Sequence, residues 1–122
     1  MKPRAPVSVY YHDHFLDHDT GSGHPENAGR LTAILAALRA RSLVARLSWP
    51  EFSAAQAQSI SRVHTGAYLG EAEEAIRGGM RQLPSGDTAI SRDSWEVALL
   101  AAGATCSAVE AVAKGNISSA FC

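Results

Sequence analysis

The chain has 122 residues, of which 46% are hydrophobic and 19% are charged, so it is at most one domain and is not a disordered chain. Its formal net charge of -1 leaves no basic field to hold a polyanion, and we expect no direct contact with nucleic acid. The cysteines suggest no disulfide framework and the N-terminal apolar run is too short for a signal peptide or membrane span, which predicts a cytoplasmic protein without a membrane partner.

The first third of the chain predicts a strand, a polar loop and a helix. Residues 7–11 are rich in β-forming side chains and follow a proline, which predicts a short strand. Residues 12–23 combine His, Asp and Gly without a period and predict a loop. Pro25 and Glu26 have the character of a first helical turn, and the helix is expected to run to about Leu43. Its predicted apolar stripe is Ala28, Leu31, Ile34 or Leu35, and Leu38.

A second strand and two helical segments are expected in the middle of the chain. Residues 45–52 predict a short strand that ends near its proline. Ser53 to His64, with Ser53 as the cap, and Thr65 to Gly78 predict the helical segments.

The last third predicts the longest helix and a third strand. A loop over residues 80–90 precedes the helix, which Ser91 or Asp93 is expected to cap and Gly115 to end. Small residues at 101–104 would allow close packing on a neighbour. The predicted buried stripe consists of Trp95, Leu99, Ala102, Cys106, Val109 and Val112. Residues 117–122 then predict a strand.

This order of elements indicates an α/β fold. About three strands and four helices in alternation predict an open, mainly parallel sheet flanked by helices. Ligands bind at the carboxyl ends of the strands in such sheets. No loop follows the third strand, so we expect part of the site to lie beyond this chain. An exposed sheet edge also favours self-association.

The loop of four histidines could in principle bind a metal, because imidazole and carboxylate both suit zinc. The spacing of His12, His14, His18 and His24 matches no compact zinc signature, which favours a solvated or hydrogen-bonded loop. No motif supports a nucleotide, serine-hydrolase, redox or zincin class. By itself, Asp87 is most simply a turn or capping carboxylate.

Three stretches together carry a family resemblance. They are Tyr11-His12-Asp13 with residues 18–31, Val63-His64-Thr65 with Tyr68-Leu69, and Gly86-Asp87-Thr88 with residues 98–104. In order and separation they resemble the opening of the histone deacetylase superfamily. The similarity is to its bacterial and class II-like members and to acetoin utilisation and acetylpolyamine amidohydrolase relatives. The resemblance implies the arginase/deacetylase fold, with residues 1–122 as the N-terminal part of a single deacetylase domain.

The resemblance also implies roles for individual residues. Asp87 matches a rim carboxylate that binds the substrate backbone, and Arg30 matches an arginine beside a channel for the acetate product. The wall of the pocket is expected to include Tyr11, His24, Pro25 and Glu26. Family members continue with Arg-Pro-Pro-Gly-His-His, and their zinc ligands come later still. We therefore expect no catalytic residue and no metal ligand within this chain.

The implied function of the complete protein is zinc-dependent hydrolysis of acetylated amines of the acetyl-lysine or acetylpolyamine type. The cofactor would be Zn²⁺ in the complete enzyme, and the chain alone is expected to bind no metal and to be inactive. One alternative is a non-catalytic short paralogue that acts as a protein-interaction module. Another is a folding remnant without a function of its own.

Overall fold

A parallel sheet of three short strands and four α-helices forms the part of the chain that the computed structural model describes, residues 5–40 and 42–122. Short 3₁₀ helices lie at Asp13–Asp17 and Val44–Arg46. The predicted α/β fold is therefore confirmed. The strands are β1 (Val7–Val9), β2 (Leu47–Ser48) and β3 (Ala120–Phe121), and the helices are α1 (Ala28–Ala40), α2 (Ala57–Ile60), α3 (Gly66–Arg77) and α4 (Ser94–Ala113).

Strand β1 lies in the centre of the sheet, in the order β2-β1-β3, and both of its pairings are parallel. Ser8 is opposite Ser48 on one side and Ala120 on the other. Its side chain is only 1% exposed, and its hydroxyl forms a hydrogen bond with that of Ser48 at 2.8 Å. The buried hydroxyl of Ser8 therefore has a partner, as a buried polar group requires.

The polar loop after β1 contains the first 3₁₀ helix, which the sequence did not predict. His12 lies at its N-cap, and the ring Nδ1 accepts a hydrogen bond from the backbone N–H of His14 at 3.0 Å. An imidazole thus takes the capping role that Ser, Thr, Asp or Asn more often fills. This local hydrogen bond stabilises a helical turn. The turn has no hydrophobic periodicity, so the sequence pattern did not predict it.

Helix α1 begins at Ala28, and the predicted start at Pro25 is wrong. Asn27 accepts a hydrogen bond from the N–H of Gly29 at 2.9 Å, and its amide donates to the carbonyl of His24 at 2.8 Å. Asn27 therefore caps the helix. The helix ends at Ala40, and its predicted extension to Leu43 crosses Arg41, which lies outside the described residues. Of the two alternatives in the stripe, Leu35 is buried and Ile34 is 40% exposed.

Helix α2 is only four residues long, so the prediction that Ser53 caps a helix is wrong. Residues 53–55 instead cross α4, where the N–H of Ala55 donates to the carbonyl of Leu99 at 2.8 Å. A Cβ atom on Gly103 would lie 1.9 Å from the carbonyl oxygen of Ser53. The expected close packing at the small residues of α4 is thus confirmed, and residues 53–55 are the neighbour.

Helix α3 agrees with its prediction. Thr65 caps it by accepting a hydrogen bond from the N–H of Tyr68 at 3.2 Å, and Gly78 follows its last turn. The spacing of Tyr68, Leu69, Ala72 and Ile76 predicts one apolar side, of which Ala72 and Ile76 are buried and Tyr68 is 44% exposed. One core cluster consists of Ala72, Ala75, Ile76, Leu83 and Ile90, with Trp95 packed against it.

Helix α4 forms as predicted, but its buried face differs from the predicted stripe. Cys106 is exposed and Val109 is 63% exposed. Ala104 and Ala108 are buried instead, in a second core cluster with Tyr10 of the β1 end. By length and composition alone, α4 has the properties of a membrane-crossing helix, which core helices of soluble proteins also share.

Candidate functional site

Two neighbouring cavities contain most of the residues that the sequence singled out. The first cavity, of about 510 Å³, contains His24, Glu26 and Asp87 in its lining. The second cavity, of about 610 Å³, contains Arg30 and again Glu26. Residues common to both linings are His18, Glu26, Ser94 and Ala98. Four of the six predicted site residues therefore line these two cavities, and Glu26 is the one that both linings share.

The second cavity lies at the carboxyl end of β3, where Cys122 is part of its lining. This is the edge of an open parallel sheet at which ligands bind. Helix α1 contributes Arg30 and Leu31 to one side, and α4 contributes Val97 and Ala101 to the other. The result is a mostly apolar cavity whose lining contains one cation, Arg30, and one carboxylate, Glu26.

The first cavity is closed on one side by a tight turn that carries Asp87. The N–H of Leu83 donates to the carbonyl of Thr88, and the N–H of Gly86 donates to the carbonyl of Leu83, each at 2.9 Å. Gly86 has a φ of 97°, which a side chain would disfavour. The turn holds Asp87 exposed at the cavity, so its carboxylate is accessible to a ligand.

His24 and Glu26 are held by a local turn before α1. The ring Nδ1 of His24 accepts a hydrogen bond from the backbone N–H of Glu26 at 3.1 Å. Pro25, between them, is exposed and lies in neither cavity lining. The turn thus places an imidazole and a carboxylate at the first cavity and directs Pro25 elsewhere.

Tyr11 also lies outside both linings. Its ring packs edge-on against Phe15, with 6.1 Å between ring centroids and an interplanar angle of 78°. Desolvation by burial, followed by the neighbouring Asp13 carboxylate, raises the pKa of Tyr11 to about 12. The phenol is therefore neutral at physiological pH.

A hydrogen-bonded group at the shared wall was not singled out from the sequence. His18 Nδ1 lies 2.7 Å from Ser94 Oγ, and Ser94 Oγ accepts from the N–H of Ser91 at 2.8 Å. Ser91 Oγ in turn accepts from the N–H of Asp19 at 2.9 Å. These bonds fix the loop that carries His18 to the start of α4. The only signal in the sequence is the pair of serines three positions apart before an apolar helical run.

The described residues bring together no group of three His, Cys, Asp or Glu side chains that could hold a metal ion. His14 is paired with Asp17, and the other three histidines of the loop each form a separate hydrogen bond: His12 with the His14 backbone, His18 with Ser94, and His24 with the Glu26 backbone. The side chains of residues 5–40 and 42–122 therefore do not fit a zinc site.

Comparison with known proteins shows which family this chain resembles. The histone deacetylase domain family matches residues 24–122. Histone deacetylase 8 of Arabidopsis thaliana is 32% identical over an alignment 120 residues long, and the match covers 85% of this chain and 32% of that protein. An uncharacterized protein of Synechocystis is 36% identical over an alignment 109 residues long, and the match covers 87% of this chain and 36% of that protein.

The crystal structure of the HDA15 HD domain has the same fold, with a TM-score of 0.84 and 23% sequence identity. The match covers 96% of this chain and 34% of that chain. The chain thus spans about a third of the length of the relatives that it matches. Because the family match extends over most of the sequence, and the fold agrees with it, the chain belongs to the histone deacetylase family.

Proposed function

We propose that this chain is the N-terminal part of a zinc-dependent deacetylase that hydrolyses acetylated amines of the acetyl-lysine or acetylpolyamine type. The family match over residues 24–122 carries the proposal. Hydrolysis adds water across the amide, breaks the carbon–nitrogen bond, and releases an amine and acetate. The two cavities offer separate places for the two halves of the substrate.

Two residues of this chain have binding roles in the proposal. Asp87, exposed at the first cavity, would accept hydrogen bonds from the substrate backbone at the entrance. Arg30, in the lining of the second cavity, would attract the acetate product by its charge. Neither residue transfers a proton or binds the metal. This chain supplies walls and charges, and the chemical step belongs to residues outside it.

We also propose that the isolated chain is inactive and that the protein is cytoplasmic. Because its described side chains do not form a zinc site, we expect the isolated chain to bind no zinc and to be inactive. The exposed thiols of Cys106 and Cys122 favour a reducing compartment, the cytoplasm. No observation favours a separate role as an interaction module.

The test uses the product of the complete reading frame that contains this chain. Acetate release is measured from an acetylated lysine peptide and from an acetylated polyamine, before and after dialysis against a chelator. We expect release from at least one of them, its loss after chelation, and its return with zinc. Release from neither substrate, or release unaffected by chelation, would contradict the proposal.

A further inference from the structure

A third cavity, of about 680 Å³, adjoins the first one and concentrates positive charge. Its lining contains three of the eleven Lys and Arg residues, namely Arg77, Arg81 and Arg92. Among the described residues of this lining, Asp19 is the only carboxylate. The cavity is therefore locally positive, although the chain as a whole has a formal net charge of -1. The first and third linings share Thr20, Ile76 and Ile90.

The three arginines differ in how far their charges are compensated. Two glutamates, one from α3 and one from α4, lie 2.8 and 3.7 Å from Arg77. Arg92 Nε lies 3.8 Å from the carboxylate of Asp93, which is too far for a hydrogen bond, and the Arg92 side chain is 92% exposed. Arg81 forms no ion pair with any residue that the structure describes. Arg81 and Arg92 therefore have N–H donors available to a ligand.

Asp19 opposes an anion in this cavity, but its carboxylate is partly engaged. Its Oδ1 accepts a hydrogen bond from the backbone N–H of Gly21 at 2.8 Å. The two available guanidinium groups of Arg81 and Arg92 outnumber this one carboxylate, which leaves a net attraction for an anion. Guanidinium groups bind carboxylates through paired N–H donors, so an acidic side chain is a suitable ligand.

A short antiparallel ladder connects the third cavity with the turn that carries Asp87. The N–H of Ile90 donates to the carbonyl of Arg81 at 3.0 Å, and Gln82 pairs with Ala89. Asp87 lies in the turn at the end of this ladder, three residues before Ile90. Because an extended chain advances about 3.3 Å per residue, the rung with Arg81 is roughly 10 Å from Asp87 along the ladder.

We propose that Arg81 and Arg92 bind an acidic side chain of a peptide substrate, about three residues from its acetylated lysine. The inference rests on the proposed function, in which Asp87 binds the substrate backbone at the entrance. An extended peptide bound there covers the roughly 10 Å to the third cavity in about three residues. An acetylpolyamine offers no carboxylate for this cavity, so the inference selects peptides as the substrate class.

The experiment measures the binding of three fluorescent peptides to the complete protein by anisotropy. In each peptide a methylene group replaces the amide nitrogen of acetyl-lysine, so that binding is observed without hydrolysis. Two of them carry Glu three residues before or three residues after that position, and the third carries Gln at both places. We expect one Glu peptide to bind about fivefold more tightly than the Gln peptide at low salt, and this preference to disappear at high salt.

A double variant, Arg81→Gln with Arg92→Gln, tests the two arginines directly. Both side chains are exposed, and the hydrogen bond from Ile90 uses the backbone of Arg81, so the fold should be retained. We expect this variant to bind all three peptides equally. The control is Arg46→Gln, at an exposed arginine beside the amino end of β2, and it should keep the preference of the wild type.

Two results would overturn the inference: equal binding of the three peptides by the wild type, or a preference for Glu that persists in the double variant. If that variant unfolds, the salt series on the wild type decides, because a preference that survives high salt does not come from exposed charges. Acetate release is measured separately on hydrolysable peptides. Release without a preference for Glu would contradict this inference alone, and a salt-sensitive preference without release would contradict only the proposed function.

Discussion

Tyr11 follows the end of β1, and its half-buried phenol makes the protein sensitive to alkaline pH. Burial and the Asp13 carboxylate raise the pKa of Tyr11 from 10.0 to about 12. Ionisation is therefore harder in the folded state than in the unfolded one, so the unfolded state binds fewer protons between these values. The free energy of unfolding should be unaffected by this group below pH 10 and should fall as the pH rises to 12.

The measurement is urea denaturation of the wild type and Tyr11→Phe across this alkaline range. The wild type should lose stability more steeply than the variant, because Phe has no proton to lose. Equal losses in both proteins would show that Tyr11 does not control the alkaline transition.

Asp87 offers a test of the first cavity in the complete protein. Asp87→Asn should raise KM for acetylated peptides by about tenfold with little change in kcat, because it weakens substrate and transition state alike. Glu51→Gln removes a carboxylate that is exposed and lies outside both cavities, and it should leave both constants unchanged. Unchanged kinetics in Asp87→Asn would remove Asp87 from the substrate site.

For single residues, the sequence predicted candidates that lie within short motifs but not contacts between distant parts of the chain. Arg30 and Asp87 were singled out because each lies within a recognisable stretch, and each lines a cavity. The contact between His18 and Ser94 joins residues 76 positions apart. No local pattern reports such a contact, since it depends on how the loop folds back onto α4.

Residues 53–55 cross α4 at Gly103. Among the glycines of the described chain, Gly103 has the least space for a side chain. Gly103→Ala would place a methyl group 1.9 Å from a backbone oxygen, and neither backbone can move aside cheaply. We expect Gly103→Ala to lower the free energy of unfolding by about 3 kcal/mol or more.

The matched control for that substitution is Gly70→Ala, in the middle of α3. No atom lies within 4 Å of a Cβ at this position, so the change should stabilise the protein by about 0.5–1 kcal/mol through helix propensity. Urea denaturation measures both variants. Equal stability of the two would mean that the crossing is looser than the structure shows.

At the scale of elements, periodicity located the helices better than it oriented them. Helix α3 has a clear apolar side, on which Ala72, Ala75 and Ile76 are buried. Helix α4 is apolar nearly all round, so period alone could not select the face with Ala104 and Ala108 over the one with Val109. The start of α1 was misplaced because Pro25 and Asn27 both have the character of helix starts, and the side-chain hydrogen bond of Asn27 decided between them.

In the part of the chain that the structure describes, β1 lies between β2 and β3, so each of these outer strands has one edge without a paired strand. Phe121 on the β3 edge is 50% exposed, and an exposed apolar edge strand is a template for pairing with another chain. We expect the isolated chain to self-associate as its concentration rises. Phe121→Lys should shift the sedimentation coefficient towards that of a monomer.

The control for that prediction is Val63→Lys, at an exposed apolar residue away from the sheet edge. It should leave the association unchanged. A monomer at every concentration of the wild type, or equal effects of the two lysines, would contradict association through the edge.

For the molecule as a whole, the alternation of elements was enough to predict an α/β fold with a parallel sheet. Pairing order and strand length were not predictable, because two- and three-residue strands carry almost no periodic signal. The carboxyl end of β3 was expected to be a ligand edge, and the second cavity lies there.

We propose above that this chain is the N-terminal part of a deacetylase whose zinc ligands lie further along the sequence. The most direct measurement is the coding sequence immediately after the codon for Cys122. We expect Arg-Pro-Pro-Gly-His-His or a close variant, within a reading frame long enough to match the relatives of which this chain spans about a third. A stop codon at that position would contradict it, because the chain would then have no residues to hold the metal.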